Sequence, residues 1–131
     1  MASTPEGLSY TKDHEWVRTE GDRVRVGITD HAQRQLGDVV YVELPRTGDR
    51  FEATEPFGSV ESVKAVSEVY MPVTGTIAEV NESLNDEPEQ VNGDPYGDGW
   101  FIVIDMANPA QLDGLLSASE YEDYVREEAS E

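Results

Sequence analysis

The chain has 131 residues and a formal net charge of −19, because 28 Asp and Glu face only 9 Lys and Arg. Such a surface repels phosphate backbones and anionic membranes, which argues against nucleic-acid binding and membrane association. The absence of cysteine excludes disulfides and thiolate metal sites, while the length and the 37% apolar content predict one domain over residues 1–131, with a core from about 10 to 126 and frayed ends.

The first third of the chain predicts two strands, a short helix and a third strand. Residues 15–18 and 23–28 are strand-like and are separated by turn residues, so they form a predicted hairpin. Residues 30–37 predict a helix that is capped by Asp30 and ended by Gly37 in the left-handed conformation. A dense β-branched strand over residues 39–44 follows. The pattern is typical of a strand-rich fold.

The second half continues this pattern and ends in a helix. Residues 74–80 predict a strand, and residues 82–99 are rich in Asn, Asp, Pro and Gly, which predicts an irregular loop. A last core strand is expected over residues 100–105. Ser117 and Glu120 have the spacing of a capping box, so a C-terminal helix begins there, with Tyr121, Tyr124 and Val125 on one face.

Lys64 is one of only two lysines, and it lies between two short predicted strands. With Val63 and Lys64 as the central residues, a type I′ turn is disfavoured, because a β-branched residue resists positive φ. A type I turn fits both residues. An amine at a hairpin tip is accessible to a modifying enzyme, which favours a carrier of a tethered group.

No other part of the sequence predicts a reactive centre. His14 and His31 lack the spacing of a zinc-binding helix, so neither a metal site nor a catalytic site is expected. Residues 92–99 lack the ligand order of a calcium-binding loop. Trp16 and Trp100 are assigned to the core.

The segment around Lys64 resembles a lipoyl-attachment motif, formed by Glu61, Ser62, Val63, Lys64 and Ala65. Other segments, in the same order along the chain, resemble one family, the H proteins of the glycine cleavage system. They are residues 10–17, 27–33, 36–45, 57–65, 72–75, 80–81, 94–100 and 119–121. Together they cover nearly the whole chain, so the resemblance is specific.

The resemblance implies a mainly β fold of the lipoyl/biotinyl type, a β-sandwich (barrel-sandwich hybrid) with a short helix in the N-terminal half and a C-terminal helix. It implies that lipoate is attached covalently to Lys64 of a non-catalytic carrier. The implied partners are glycine decarboxylase (P protein), the aminomethyltransferase (T protein), dihydrolipoyl dehydrogenase (L protein) and a lipoate-loading enzyme. A cytoplasmic monomer is expected.

The resemblance also implies roles for residues outside the motif. Glu15 and Glu68 are candidates for holding the arm when it carries a cationic aminomethyl group, since carboxylates form charge-assisted hydrogen bonds with ammonium groups. The alternative is that both are ordinary surface acids. Three residues of the predicted helix are candidates for partner contact: Asp30, His31 and Arg34.

Other functions remain open on the residues alone. A lipoyl domain of another 2-oxo acid dehydrogenase-type system usually lies in a longer chain with mobile linkers. A biotin carrier usually has Met beside its lysine, whereas Val63 and Ala65 flank Lys64. An unmodified H-like interaction or lipoyl-relay protein would carry the same motif, and a hydrolase would need a positioned base. The acidity favours a halophilic host, with simple solubility as the other interpretation.

Overall fold

The computed structural model describes residues 4–129, in which nine strands form two antiparallel sheets. The strands are β1 (Ser9–Tyr10), β2 (Glu15–Glu20), β3 (Arg23–Ile28), β4 (Val39–Glu43), β5 (Arg50–Phe51), β6 (Pro56–Ser62), β7 (Val66–Tyr70), β8 (Gly75–Val80) and β9 (Ile102–Met106). The larger sheet has the order β1-β2-β3-β9-β8-β5, and the smaller has the order β4-β6-β7. The predicted hairpins are therefore confirmed as β2–β3 and β6–β7.

A single hydrophobic cluster joins the two sheets. Val24, Val26 and Ile104 enter it from the larger sheet, and Val42 and Val60 enter it from the smaller one. Alternate residues of each strand face this cluster, as the period of a β-strand requires. The arrangement confirms the predicted β-sandwich.

A second cluster packs the C-terminal helix against the edge of the larger sheet. Trp16, Tyr10 and Tyr121 are fully buried in it, and the Tyr10 and Tyr121 rings stack with centroids 4.7 Å apart. The indole N–H of Trp16 donates to the Pro95 carbonyl at 2.8 Å. Trp100 is only partly buried at the margin of this cluster, where Arg25 covers its ring.

Helices lie at the edges of the sandwich and at one end of it. They are α1 (Asp30–Leu36), α2 (Ser83–Asp86), α3 (Gln90–Gly93), a 3₁₀ helix (Pro109–Gly114) and α4 (Ala118–Ala129). The predicted capping box is present, because Glu120 accepts from the Ser117 N–H at 2.9 Å and the Ser117 hydroxyl accepts from the Glu120 N–H at 3.2 Å. Within the described part of the chain, no helix combines the length and the apolar composition that crossing a membrane requires.

The cap of α1 differs from the prediction. The N-cap is Thr29, whose hydroxyl accepts from the Ala32 N–H at 3.2 Å, and Asp30 is instead the first helical residue. Both residue types cap helices, and it is Thr29 that has the extended backbone of a cap, with φ −75° and ψ 164°. Gly37 does end the helix with a positive φ of 80°, although its ψ of −158° takes the chain out of the left-handed helical region.

Two further segments are more regular than predicted. Residues 82–99 contain α2 and α3, each anchored by one buried apolar residue, Leu84 and Val91. The C-terminal helix continues through residue 129 where fraying was expected, because Glu128 contacts His14 and Tyr124. Residues 130–131 lie outside the described part of the chain.

Candidate functional site

The hairpin that carries Lys64 is closed without a glycine. The Ser62 N–H donates to the Ala65 carbonyl at 2.8 Å, and the Ser62 hydroxyl accepts from the N–H groups of Lys64 and Ala65 at 3.3 and 3.1 Å. Val63 and Lys64 are the central residues, as predicted, and both have negative φ, which excludes a type I′ turn. The Val63 N–H donates to the Asp38 carbonyl at 3.0 Å and so ties the tip to the residue before β4.

The Lys64 side chain starts at the exposed tip and lies over the end of α1. A Cβ atom added at Gly37 would lie 3.3 Å from Lys64 Cε and 3.9 Å from its Nζ. The missing side chain of Gly37 therefore leaves room for the lysine stem, while the amine itself is exposed. The sequence prediction of an accessible amine agrees with this geometry.

Exposed apolar side chains surround the tip. Val63 and Val66 are 70% and 66% exposed, and Val40 and Tyr41 are about half exposed. Tyr41, Glu61 and Val66 stand side by side across the three strands of the smaller sheet. Large apolar groups exposed together beside one lysine are typical of a surface that other proteins contact.

A cavity of about 150 Å³ opens between α1 and β7, next to the end of α1 over which the lysine lies. Glu15 and Glu68, both identified in the sequence, line this cavity together with apolar residues of both sheets and of α1: Ile28, Ala32, Leu36, Val60 and Val69. Glu15 is buried and Glu68 is exposed. The structure thus brings the two acids to one cavity but gives them different environments.

Glu15 links the two sheets through its carboxyl group. Its Oε2 accepts from the backbone N–H of Tyr70 in β7 at 3.0 Å, and its Oε1 accepts from the Thr11 hydroxyl at 2.8 Å. Burial raises the pKa of Glu15 from 4.5 to about 7, and the two hydrogen bonds oppose that rise only in part. The carboxyl group of Glu15 therefore ionises at a higher pH than a free glutamate does.

The helix residues proposed for partner contact are not equally available. Asp30 is buried, and its carboxylate accepts from the Gln33 amide at 2.6 Å and faces Arg34 at 3.3 Å. The Arg34 side chain is 54% exposed, whereas His31 is partly buried and less accessible. Of the three, Arg34 alone is well exposed to a partner.

The structure also assembles a group that the sequence did not suggest. A ring nitrogen of His14, a ring nitrogen of His31 and a carboxylate oxygen of Glu128 lie within 4.8 Å of one another. Burial lowers the pKa of His14 and outweighs the opposing effect of Glu128. His14 also has a φ of 67°, which non-glycine residues seldom adopt. The resemblance covered His14 and His31 in the segments 10–17 and 27–33, but nothing in the sequence indicated that they meet Glu128.

Comparisons with known proteins agree with one another. The family model described as "Glycine cleavage H-protein" matches residues 8–128. The chain is 59% identical over 125 residues to a glycine cleavage system H protein of Geobacillus thermodenitrificans, covering 95% of this chain and 98% of that protein. It is 56% identical over 128 residues to one of Halalkalibacterium halodurans, covering 98% and 100%. A crystal structure of a glycine cleavage system H protein from Mycobacterium marinum matches with a TM-score of 0.81 and 43% identity, covering 89% of this chain and 94% of that chain.

Proposed function

The chain belongs to the glycine cleavage H-protein family, and from that membership we propose that it is the lipoyl-bearing carrier of a glycine cleavage system. The observation that carries the proposal is the exposed Lys64 at a rigid hairpin tip. Its partners would be the P, T and L proteins and a lipoate-loading enzyme. The chain itself supplies the attachment point and no catalytic group.

The residues around Lys64 fit a lipoyl group. Ser62 and Asp38 fix the backbone of the tip, and Gly37 leaves space beside the lysine stem. Attached as an amide, lipoate supplies a dithiolane that takes up and gives up the aminomethyl group. The extended side chain with its acyl chain reaches about a dozen Å. The cavity proposed to receive its end is lined by Leu36, the residue before Gly37.

The cavity would shelter the cationic end of the arm. Each oxygen of the Glu15 carboxyl group makes one hydrogen bond within the protein, which leaves further lone pairs for an ammonium group. Glu68 stands at the exposed side of the same cavity and adds a second negative charge. The apolar lining, including Leu36 and Val69, limits the water that reaches this end.

The apolar residues beside the tip give the partners a common surface. Val63 and Val66 flank Lys64 and are mostly exposed, so a partner can cover them and the lysine in one contact. Because the amine is presented without any opening of the fold, the same surface serves the loading enzyme and the three proteins that use the arm. Tethering the group at this position raises its local concentration at each partner.

Loading of the two lysines tests the attachment site. We expect a lipoate-loading enzyme to add one lipoyl group to the native chain and to the Lys12→Arg variant, but none to Lys64→Arg. Intact-mass spectrometry with peptide mapping measures the result, and Lys12→Arg is the matched control for loss of an amine. A lipoyl group on Lys64→Arg would contradict the assignment, and a chain left unmodified by every loading system would favour the H-like relay alternative.

Retention of the aminomethyl group tests the cavity. We expect Glu15→Gln and Glu68→Gln, both in the lipoylated protein, to release the group faster than the native protein does. Glu43→Gln is the matched control, because Glu43 is an exposed acid of the smaller sheet that does not line this cavity. Quenched-flow mass spectrometry follows the release. Equal rates in all four proteins would refute the sheltering role and leave the attachment at Lys64 untouched.

A further inference from the structure

His14, His31 and Glu128 come from three distant parts of the chain and meet on one side of the molecule. His14 precedes β2, His31 is in the first turn of α1, and Glu128 lies in the last turn of α4. One Glu128 oxygen is 3.2 Å from His14 Nε2, and the three potential ligand atoms lie within 4.8 Å of one another. The His14 side chain is 17% exposed, so the group is shielded but reachable from solvent.

One buried nitrogen atom of this group lacks a hydrogen-bond partner in the described part of the chain. His31 Nε2 is buried, and within residues 4–129 it has no hydrogen-bond partner. A buried ring nitrogen without a partner is unfavourable, and most buried polar atoms do have one. A neutral imidazole offers a lone pair at such a nitrogen, which is the form that binds metal ions.

The other two side chains are held by tyrosines of α4. The Tyr121 hydroxyl lies 2.7 Å from His14 Nδ1 and 2.8 Å from the Thr29 hydroxyl, so it orients the ring and leaves Nε2 facing Glu128. The Tyr124 hydroxyl donates to the second Glu128 oxygen at 2.9 Å. Outer hydrogen bonds of this kind orient histidine and carboxylate ligands in metal sites.

We propose that His14, His31 and Glu128 form a binding site for a zinc-class divalent transition-metal ion. Two imidazoles and one carboxylate suit zinc, whereas magnesium and calcium prefer sets made of oxygens. Tetrahedral zinc with bonds of about 2 Å places neighbouring ligand atoms about 3.3 Å apart. The His14–Glu128 pair already has a separation of 3.2 Å, and the remaining separations, of at most 4.8 Å, would shorten on binding.

The ion would fasten the end of α4 to the body of the protein. Its three ligands connect α4, α1 and the segment before β2, and water can complete the coordination from the exposed side of Glu128. Binding to the folded chain alone raises its stability in proportion to the logarithm of the free ion concentration. His14 also lines the cavity proposed for the end of the arm, but His31 and Glu128 do not and Lys64 is not a ligand, so the site goes beyond the proposed carrier function.

Zinc titration of the full-length Lys64→Arg chain tests the proposal, because that background carries no dithiol that could bind the ion. The titration is carried out in excess magnesium, which occupies the weak carboxylate sites on this acidic chain. We expect one zinc ion per chain, with affinity reduced at least about tenfold in His31→Gln and in Glu128→Gln. Glu122→Gln, which removes the same charge from the same helix, is the matched control and keeps the affinity of the background.

A second measurement needs no further substitution. Histidine ring-nitrogen NMR of the same Lys64→Arg chain should show both His14 and His31 shifting at one equivalent of zinc, and the melting temperature should rise. Unshifted histidine nitrogens, or equal zinc affinity in all the variants, would mean an adventitious ion bound by surface carboxylates only, and the site would be rejected. Neither result depends on lipoylation, so a failure of the zinc proposal would leave the proposed carrier function unaffected.

Discussion

Replacing Glu15 by glutamine should remove a pH dependence that this buried carboxyl group gives to folding. Its pKa in the folded chain is about 7 against 4.5 for the free group. The folded chain therefore binds more protons than the unfolded chain between these values, so the free energy of unfolding falls as the pH rises through about 7. At 1.36 kcal/mol for each pKa unit, the loss approaches about 3 kcal/mol above that range.

Urea denaturation of the native and Glu15→Gln chains across the range from about pH 4.5 to about pH 8 measures this effect. The substituted amide stays neutral, so we expect the unfolding free energy of the variant relative to the native chain to improve by about 3 kcal/mol as the pH rises. Where the amide fits the Tyr70 and Thr11 donors less well than the carboxyl group does, it lowers the unfolding free energy. That loss is the same at every pH, so it does not hide the change with pH. A chelator keeps metal ions out of the comparison.

Glu68→Gln is the control, because it removes the same charge from an exposed position of the same cavity. The difference in unfolding free energy between Glu68→Gln and the native chain should change little over this pH range, since surface charges are screened by salt. If the unfolding free energy of Glu15→Gln relative to the native chain did not change with pH, or fell as the pH rises, the inference that burial dominates the environment of Glu15 would be wrong.

Three further substitutions test the local structure. Ser62→Ala removes the hydroxyl that accepts two N–H groups at the tip, so it should lower the unfolding free energy by about 1 kcal/mol and slow the loading of Lys64 in a timed lipoylation assay. Gly27→Ala places a Cβ atom 2.7 Å from the Trp16 indole, so it should destabilise the fold by about 1–3 kcal/mol and shift the tryptophan fluorescence. Ser117→Ala breaks the capping box, so it should lower the unfolding free energy by about 1 kcal/mol and lower the melting temperature.

Matched serine substitutions distinguish these effects from general loss of polar groups. Ser67→Ala in β7 and Ser119→Ala in α4 change exposed hydroxyls that do not hold the tip or the cap. Both should leave stability and loading close to the native values. If Ser67→Ala slowed loading as much as Ser62→Ala does, the role given to the Ser62 hydroxyl would be refuted.

The strands and the tip were predictable because their signals are local. Alternation in residues 23–28 reflects the two faces of β3, and the resistance of Val63 to positive φ is a property of that residue alone. The capping box at Ser117 likewise needs only a three-residue spacing. The choice between Thr29 and Asp30 as the cap was not decided locally, because both residue types cap helices and Asp is the more preferred of the two, yet the chain turns into the helix after Thr29.

The burial of Glu15 and the meeting of His14 with Glu128 depend on contacts between distant segments. Glu15 resembles any other acid in a sequence with 28 of them, and only the packing of β2 against β7 removes it from water. Likewise, α4 remains helical to residue 129 because its last turn finds partners near the start of the chain. Spacing along the sequence carries no record of such pairs.

The cavity beside α1 has walls from two separate layers. Ile28 belongs to the larger sheet and Val60 and Val69 to the smaller one, while the turn that carries Lys64 is held by the smaller sheet and by Asp38. If the cavity holds the aminomethyl group as proposed, the lifetime of that group depends on how tightly the two sheets pack, whereas attachment at Lys64 does not. On that proposal, a substitution that loosens the core far from either acid would speed the release of the group before it slowed the loading of Lys64.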